Sequence, residues 1–474
     1  MSELWYKPAH ELAQAIRGKK LSPVELMEAC LQRIEETNPI LNAFIAMRGE
    51  EALAEARALE GRLAAGEEAG MLAGLPFGVK ELEDAKGFPS THASVPYKDN
   101  FPERDSVQVE RLKNAGAILL GKTNSPEFGY TAFTKNLLFG VTRNPWNVER
   151  TPGGSSGGTS AAIAGGMVPI ATGSDGGGSV RIPACYTGCF GLKPTFGRIP
   201  KGPFDMLRWN DTSVYGPITR TVRDAALFMD AVVGAHPSDP DSLPHPGVSY
   251  VETLERMPSK LKIAWSPTLG YARVEKDVAR EVEAAVKTIG GLGHEVEEVG
   301  KIFDDPGVLW LRVSGSETFA YIYDKIEEHR EEFGRAFLAG AESAGRTTPE
   351  RYGRAQRARA TLVNELWKLF DEYDLLLTPT LPTEAFPAEG KWPSEINGHR
   401  IENPIHAVAF TYPFNLSGHP AASVRAGLTD AGLPCGLQIV APRHREDLIL
   451  QVSHAYERAR PWNDVWPKEI AAAV

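Results

Sequence analysis

Cysteine is scarce in this chain: Cys30, Cys185, Cys189 and Cys435 are the four in 474 residues. So few exclude a disulfide framework. Cys185 and Cys189 form a lone C-x3-C without a second pair or a histidine at zinc spacing, so they read as buried, reduced thiols and no metal site is expected. Apolar runs of about 18 residues or more are absent, which argues against a membrane-spanning helix. The opening "MSELWYKPAHELAQAIRGKK" lacks the apolar segment of a secretory signal. No basic stripe stands out: 51 Lys and Arg against 61 Asp and Glu give a net charge of −10, spread along the chain, so no nucleic-acid surface is expected. The eleven histidines offer no H-E-x-x-H. There is no fixed-period repeat and no low-complexity tract. These absences predict a soluble, cytoplasmic protein with no cofactor.

What is present is helix and strand in alternation. "LSPVELMEACLQRIEETNP" has Ser22 as N-cap, Pro23 at the first helical position and Glu25 two residues further, with Leu26, Cys30, Leu31 and Ile34 on one face. Pro39 is expected to stop that helix. "GEEALAEARALEGRLAAG" reads as a second helix. "LPFGVKE", "GAILLGKT" and "MVPIATGSD" are short apolar runs bounded by Gly and Pro, which read as buried strands between helices such as "DSVQVERLKNAG". After a proline-rich loop near residue 237 come a strand in "LKIAWSP", another in "HEVEEVG", long helices from about 305 to 372, and a buried strand in "EYDLLLTPTLP". "CGLQIVAP" and "REDLILQVSHAYERA" close the chain as strand and helix. The expected fold class is α/β.

Glycine is abundant in two places. "RTPGGSSGGTSAAIAGG" spans Arg150–Gly166, and "GSDGGGSVRIP" follows at Gly173–Pro183. Glycine in bulk weakens helices and strands alike, so these clusters need another reason. "GGSSG" satisfies G-x-S-x-G, the strand-to-helix turn that presents a nucleophilic serine, but "NPWNVERTP" before it is no strand. On that rival reading Ser155 attacks and His406, His419, His444 or His454 supplies the base. "GAILLGKT" satisfies the phosphate-loop pattern, but its apolar x positions belong in a strand rather than a phosphate cradle.

"GVKE" around Lys80, "TPGGSSGGTSAAIAGG" and "GSDGGGSVRIPACYTGCFGLKPTFGRIP" together resemble the amidase signature family. The resemblance runs along nearly the whole chain, through "GKTNSPEFG", "TRNPWN", "YGPITRTVRDAA", "FTYPFNLSGHPA" and "GLPCGLQIVAP". It implies one domain built on a large, mixed, twisted β-sheet covered on both faces by helices, with a helical lobe on the substrate side. Residues 1–65 would give N-terminal helices, 66–236 the signature core, 237–400 the variable lobe and 401–474 the end of the core. It also implies a catalytic Ser–cis-Ser–Lys triad: Lys80 as base, Ser155 as the relaying serine after a cis peptide at Gly154–Ser155, and Ser179 as nucleophile. The backbone N–H groups of Gly176, Gly177, Gly178 and Ser179 would form the oxyanion hole, with Ser156, Asp175 and Arg181 supporting the site. A surface ion pair is the plainer reading of Asp175 and Arg181. The family commonly carries Asp after the lysine, where this chain has Glu81, which keeps the charge on a longer arm.

The implied chemistry is sound. A serine hydroxyl is a poor nucleophile until a base takes its proton, and lysine can do so only when neutral. Burial disfavours the ammonium, and the apolar "LAGLPFGV" before Lys80 predicts burial. A hydroxyl donates and accepts at once, so Ser155 can pass a proton between Lys80 and Ser179. Family members cleave amides, and some cleave esters and carbamates. One branch is instead the glutaminase subunit of a tRNA-dependent amidotransferase, which usually reads Thr at the place of Gly176 and Gln at that of Ile182. This chain therefore looks like a stand-alone amidase, a monomer or homodimer. Its substrate would be chosen by "THASVPYKDNF", "TAFTKNLLFG", "PFDMLRWND", the lobe from about 305 to 345 and "TLPTEAFPAEGKW", whose aromatics suggest an apolar pocket for aryl or alkyl amides.

Overall fold

The computed structural model describes residues 4–204, 206, 211–467 and 470. Eleven strands form one sheet. In chain order they are β1 (Phe44–Met47), β2 (Pro76–Lys80), β3 (Ile118–Thr123), β4 (Ile170–Asp175), β5 (Phe190–Lys193), β6 (Val214–Thr219), β7 (Lys262–Trp265), β8 (Glu295–Glu298), β9 (Leu375–Pro379), β10 (Ala421–Leu428) and β11 (Pro434–Val440). Across the sheet they lie in the order β1-β3-β2-β4-β6-β5-β10-β11-β9-β7-β8. β2 runs parallel to β3 and to β4, and β7 runs parallel to β8 and β9. The pairings at β6, β5, β10 and β11 are antiparallel, so the sheet is mixed as expected. Every residue of β2, β3, β9 and β11 is buried. A strand buried along its whole length is covered on both faces, which is why these read as apolar runs rather than alternating ones.

Each of the four chain segments supplies strands to this one sheet: β1 comes from the first, β2 to β6 from the second, β7 to β9 from the third, and β10 and β11 from the last. The third segment also carries the helices Gly307–His329, Arg335–Gly345 and Pro349–Glu372. They pack in two clusters: Val313, Leu362 and Leu366 share a core with sheet residues Ala264, Leu376 and Val440, and Ile322, Phe333 and Phe337 form a second one within the lobe.

Local signals hold in detail, with two corrections: residues 1–65, expected as helices, also supply β1, which pairs antiparallel with β3 at the sheet edge, and one helix end lies further on than expected. Ser22 Oγ accepts from the amides of Val24 and Glu25, as a helix cap does. The helix it opens does not stop at Pro39; it runs Pro23–Leu41 and ends on Asn42 in the left-handed conformation, φ 50°. The side chain of Asn38 accepts from the amides of Ala43 and Phe44, which ties down the chain just past that end. "GAILLGKT" lies in and just before β3, with Lys122 buried and its ammonium on the carbonyl of Glu83, so the phosphate-loop match is a strand. Among the described residues, no helix is long and apolar enough to cross a membrane.

Candidate active site

The site lies where β2 and β4 end side by side. β2 is PFGVK, and its last residue is Lys80. The side chain is fully buried. Its Nζ lies 2.7 Å from Ser155 Oγ, 2.9 Å from Ser174 Oγ and 3.3 Å from the Ser174 carbonyl. Burial pushes the ammonium down to about 7, against the pull of Asp175, Glu83 and Glu81, whose charges favour it. Strand pairing delivers the lysine to this place. The Lys80 amide donates to Thr172 Oγ1 across to β4, and the next amide, that of Glu81, donates to the Thr123 carbonyl on β3. The Glu81 carboxylate accepts from the amide and hydroxyl of Thr91, at 2.5 and 2.7 Å, so it fastens the 91–94 loop.

Ser155 sits just before the buried helix Gly157–Ala164, and the Gly154–Ser155 peptide is cis. No strand leads directly into it. The chain packs closely there: a Cβ at Gly154 would lie 2.6 Å from the Thr131 carbonyl. The Ser156 amide donates to the Ser179 carbonyl at 3.2 Å, so the two serine loops are stitched together. Ser156 Oγ bridges the carbonyl and amide of Ser174 at 3.2 and 3.3 Å. Ser174, which sequence reasoning left out, thus touches both Lys80 and Ser156. Its only mark in the sequence is its alternation with Thr172 along β4.

Asp175 ends β4 and organises the second glycine cluster. Its carboxylate accepts from the amides of Gly178 and Val180, at 2.7 and 3.1 Å, from Arg181 Nε and Nη2, at 3.0 and 2.9 Å, and from Asn415 Nδ2 at 2.8 Å. Burial alone would push its pKa up. The Arg181 guanidinium overrides this and holds the carboxyl well below the usual carboxylate range. Arg181 also donates to the Thr411 carbonyl, Gln438 Oε1 and Asn415 Oδ1. Both partners have no exposure, which overturns the plainer reading of a surface ion pair.

The glycine loop itself is clamped. The carbonyls of Asp175, Gly176, Gly177 and Gly178 accept in turn from Asn415 Nδ2, Trp310 Nε1, Thr411 Oγ1 and the Ile182 amide. Gly178 has φ 128°, open to glycine and barred to bulkier residues. The Gly178 amide is committed to Asp175, a correction to the four donors expected from sequence. Among the described residues, the amides of Gly176, Gly177 and Ser179 have no hydrogen-bond partner. Gly176, Gly177 and Ser179 are part-exposed, so this face of the loop is open to solvent.

The four candidate histidines are spent elsewhere. His406 meets Asp305, His454 meets Glu255, His444 lies beside Arg198, and His419 stacks on Phe370. Among the described residues none hydrogen-bonds Ser155 or Ser179, so nothing supports a histidine base. Aromatic rings gather instead. Gly129 lies against Ser155, where a Cβ would come within 3.0 Å of its Oγ. The preceding Phe128 stacks between His92 and Phe337, each at 5.0 Å, with Tyr97 edge-on at 5.3 Å. Of the stretches expected to choose the substrate, most of "PFDMLRWND" lies outside the described residues.

The chain is similar to known proteins along nearly its whole length. A family model described as Amidase matches residues 25–450. An acylamidase of Rhodococcus erythropolis is 38% identical over 471 residues, covering 98% of each chain. A glutamyl-tRNA(Gln) amidotransferase subunit from Geobacter metallireducens is 35% identical over 491 residues, covering 97% of this chain and 99% of that one. A solved bacterial aryl acylamidase of the amidase signature family superposes with a TM-score of 0.92 at 34% identity, covering 100% of this chain and 99% of that one. The chain belongs to the amidase family. It is an enzyme that hydrolyses amide C–N bonds.

Proposed function

We propose that the enzyme is a stand-alone acylamidase that works through Ser179, Ser155 and Lys80 and a covalent acyl-enzyme. Ser179 Oγ attacks the amide carbonyl carbon. Its proton passes to Ser155 Oγ as the Ser155 proton passes to neutral Lys80. The amides of Gly176, Gly177 and Ser179 steady the oxyanion. When the C–N bond breaks, the proton returns along the same relay to the leaving nitrogen. Water then attacks the acyl group, and the relay runs again to release the acid. The observation that carries this reading is the 2.7 Å contact between Ser155 Oγ and a Lys80 whose burial favours the neutral amine. Asp175, Arg181 and Ser156 hold the loops and do not react.

The substrate is an apolar amide of the acyl-aryl kind, with aryl esters and carbamates as further substrates. The part-exposed rings of Phe128 and Tyr97, packed edge-on at 5.3 Å, support this, since Phe128 adjoins the glycine that touches Ser155. So does the likeness to an acylamidase and an aryl acylamidase. The enzyme acts in the cytoplasm as a monomer or homodimer, without nucleic acid. The similarity to amidotransferase subunits favours a second reading, a glutaminase that feeds ammonia to a partner. Purified protein is offered p-nitroacetanilide, an alkyl amide, an aryl carbamate and glutamine. Turnover of the anilide supports the first reading; turnover of glutamine alone overturns it in favour of the second. Ser179→Ala should abolish turnover and labelling by a fluorophosphonate. An adduct mapped to Ser155 instead would sink the assigned roles.

A further inference from the structure

The glycine loop is held at four successive carbonyls, and three of the holds come from the core. Asn415 and Thr411 stand on the 404–416 segment, and the Ile182 amide on the Arg181–Thr187 helix. The fourth comes from the helical lobe. Trp310 stands in the first turn of the Gly307–His329 helix, and its indole N–H donates to the Gly176 carbonyl at 2.8 Å. A trans peptide points its carbonyl and its N–H in opposite directions. Fixing the Gly176 carbonyl therefore fixes the direction of the Gly177 N–H, away from the indole. The ring also closes the space behind it. A Cβ at Gly177 would lie 2.5 Å from Trp310 Cζ2, so the loop and the ring are in direct contact.

Trp310 is itself braced. Its ring stacks on Tyr412 at 6.1 Å and 28°. The Tyr412 hydroxyl donates to Asp305 Oδ1 at 3.0 Å, and the same oxygen accepts the Gly307 amide at the helix start. His406 Nε2 lies 2.8 Å from the other carboxylate oxygen. The first turn of the lobe helix is thus fastened to the 404–416 segment, and Trp310 reaches from that anchorage to the glycine loop. Without it, Gly176 and Gly177 have no side chain to resist rotation of the peptide between them.

We infer that Trp310 is a positioning residue that aims the Gly177 N–H at the developing oxyanion, so that the substrate-side lobe helps to build the oxyanion hole. This rests on the reading of the Gly176, Gly177 and Ser179 amides as that hole. Loss of one oxyanion donor outright costs about 10²–10³ in kcat. A peptide free to turn still presents its N–H part of the time, so removal of the indole donor should cost about 10- to 100-fold in kcat.

The test replaces Trp310 with 3-benzothienylalanine, which keeps the ring shape and substitutes sulfur for N–H, beside Trp310→Phe. The readouts are kcat and KM on p-nitroacetanilide, and inhibition by a trifluoromethyl ketone and its methyl ketone counterpart. The fluorinated ketone adds Ser179 to give an oxyanion. The inference expects kcat to fall in both variants, KM to stay within twofold, and the trifluoromethyl ketone to weaken by the same factor as kcat. A kcat within twofold of the parent enzyme overturns it. So does a raised KM at unchanged kcat, which would make Trp310 a wall of the pocket and nothing more. If the unaltered enzyme binds the trifluoromethyl ketone no more tightly than the methyl ketone, the oxyanion reading itself fails, and the inference falls with it.

Discussion

Replacing Lys80 by Met should disable the enzyme and stabilise the protein, by an amount that shrinks as pH rises. Burial takes the Lys80 ammonium from 10.5 to about 7. At pH 7 roughly half of the folded molecules hold the neutral amine, against about one in three thousand at an ordinary lysine value. That is the gain for catalysis. The cost appears in stability. Between pH 7 and about 10.5 the unfolded chain carries a proton on this lysine that the folded chain releases. Stability therefore rises with pH through that window, by up to about 1.4 kcal/mol per pH unit. At pH 7 the penalty is about 4 kcal/mol, and at pH 9 about 2 kcal/mol. Met fills a similar volume without a charge. It also strands the hydroxyls of Ser155 and Ser174, which now meet Nζ at 2.7 and 2.9 Å, at about 1–3 kcal/mol in all. Lys80→Met should thus gain about 1–3 kcal/mol at pH 7, and that gain should fall by about 2 kcal/mol between pH 7 and pH 9. Urea denaturation of both proteins at pH 7, 8 and 9 measures this. Lys193, also buried and pushed down to about 7, is present in both and cancels. The kinetic counterpart is an acid limb near pH 7 in kcat/KM on p-nitroacetanilide, tenfold per pH unit below it. A stability difference that stays flat from pH 7 to 9, or widens with pH, refutes the neutral-lysine account.

Asp175→Asn should destabilise the fold by about 3–5 kcal/mol, because it leaves the Arg181 guanidinium buried without its counter-charge; thermal melting reads this, and an unchanged midpoint would contradict it. Gly177→Ala should lower kcat on an anilide more than tenfold with little change in melting temperature, since the new Cβ would press on Trp310 beside the amides proposed as oxyanion donors; full activity would show that the loop tolerates bulk. Glu81→Asp, which shortens the arm that reaches Thr91 at 2.5 and 2.7 Å, should shift activity by less than a Thr91→Val change that removes the hydroxyl donor altogether; the reverse order would mean that the carboxylate length itself sets the loop.

The strands that cross the core were legible because burial on both faces leaves a plain apolar run. β2, β3, β4, β9 and β11 all stand where "LPFGVKE", "GAILLGKT", "MVPIATGSD", "EYDLLLTPTLP" and "CGLQIVAP" put them. β1, β5, β6 and β10 carried no such mark. "FGLK" and "VYGPIT" are short and hold glycine or proline, and they become strands because neighbours on either side supply the ladder. Helix ends were less legible than helix starts. Ser22 caps through a side chain that sequence displays, whereas the stop at Asn42 depends on a left-handed turn secured by Asn38, which can be seen only in three dimensions.

The same division runs through the site. Serines, lysine and glycines announce themselves in one dimension, because each must be that residue: a hydroxyl, an amine, a bare backbone. The groups that aim them do not, because what matters is where they arrive. Ser174, Thr411, Asn415 and Trp310 are ordinary residues in ordinary stretches, and they come from β4, the 404–416 segment and the lobe helix. Their effect lies in direction, since each fixes a carbonyl or an amine already chosen by composition. Gly178 shows why composition alone misleads. Its lack of a Cβ looked like a bared N–H for the oxyanion, yet that N–H is turned inward to Asp175, and the glycine is required by φ 128° instead. A glycine cluster therefore states that backbone must come close or turn sharply, and the partner of each carbonyl decides which way each amide then faces.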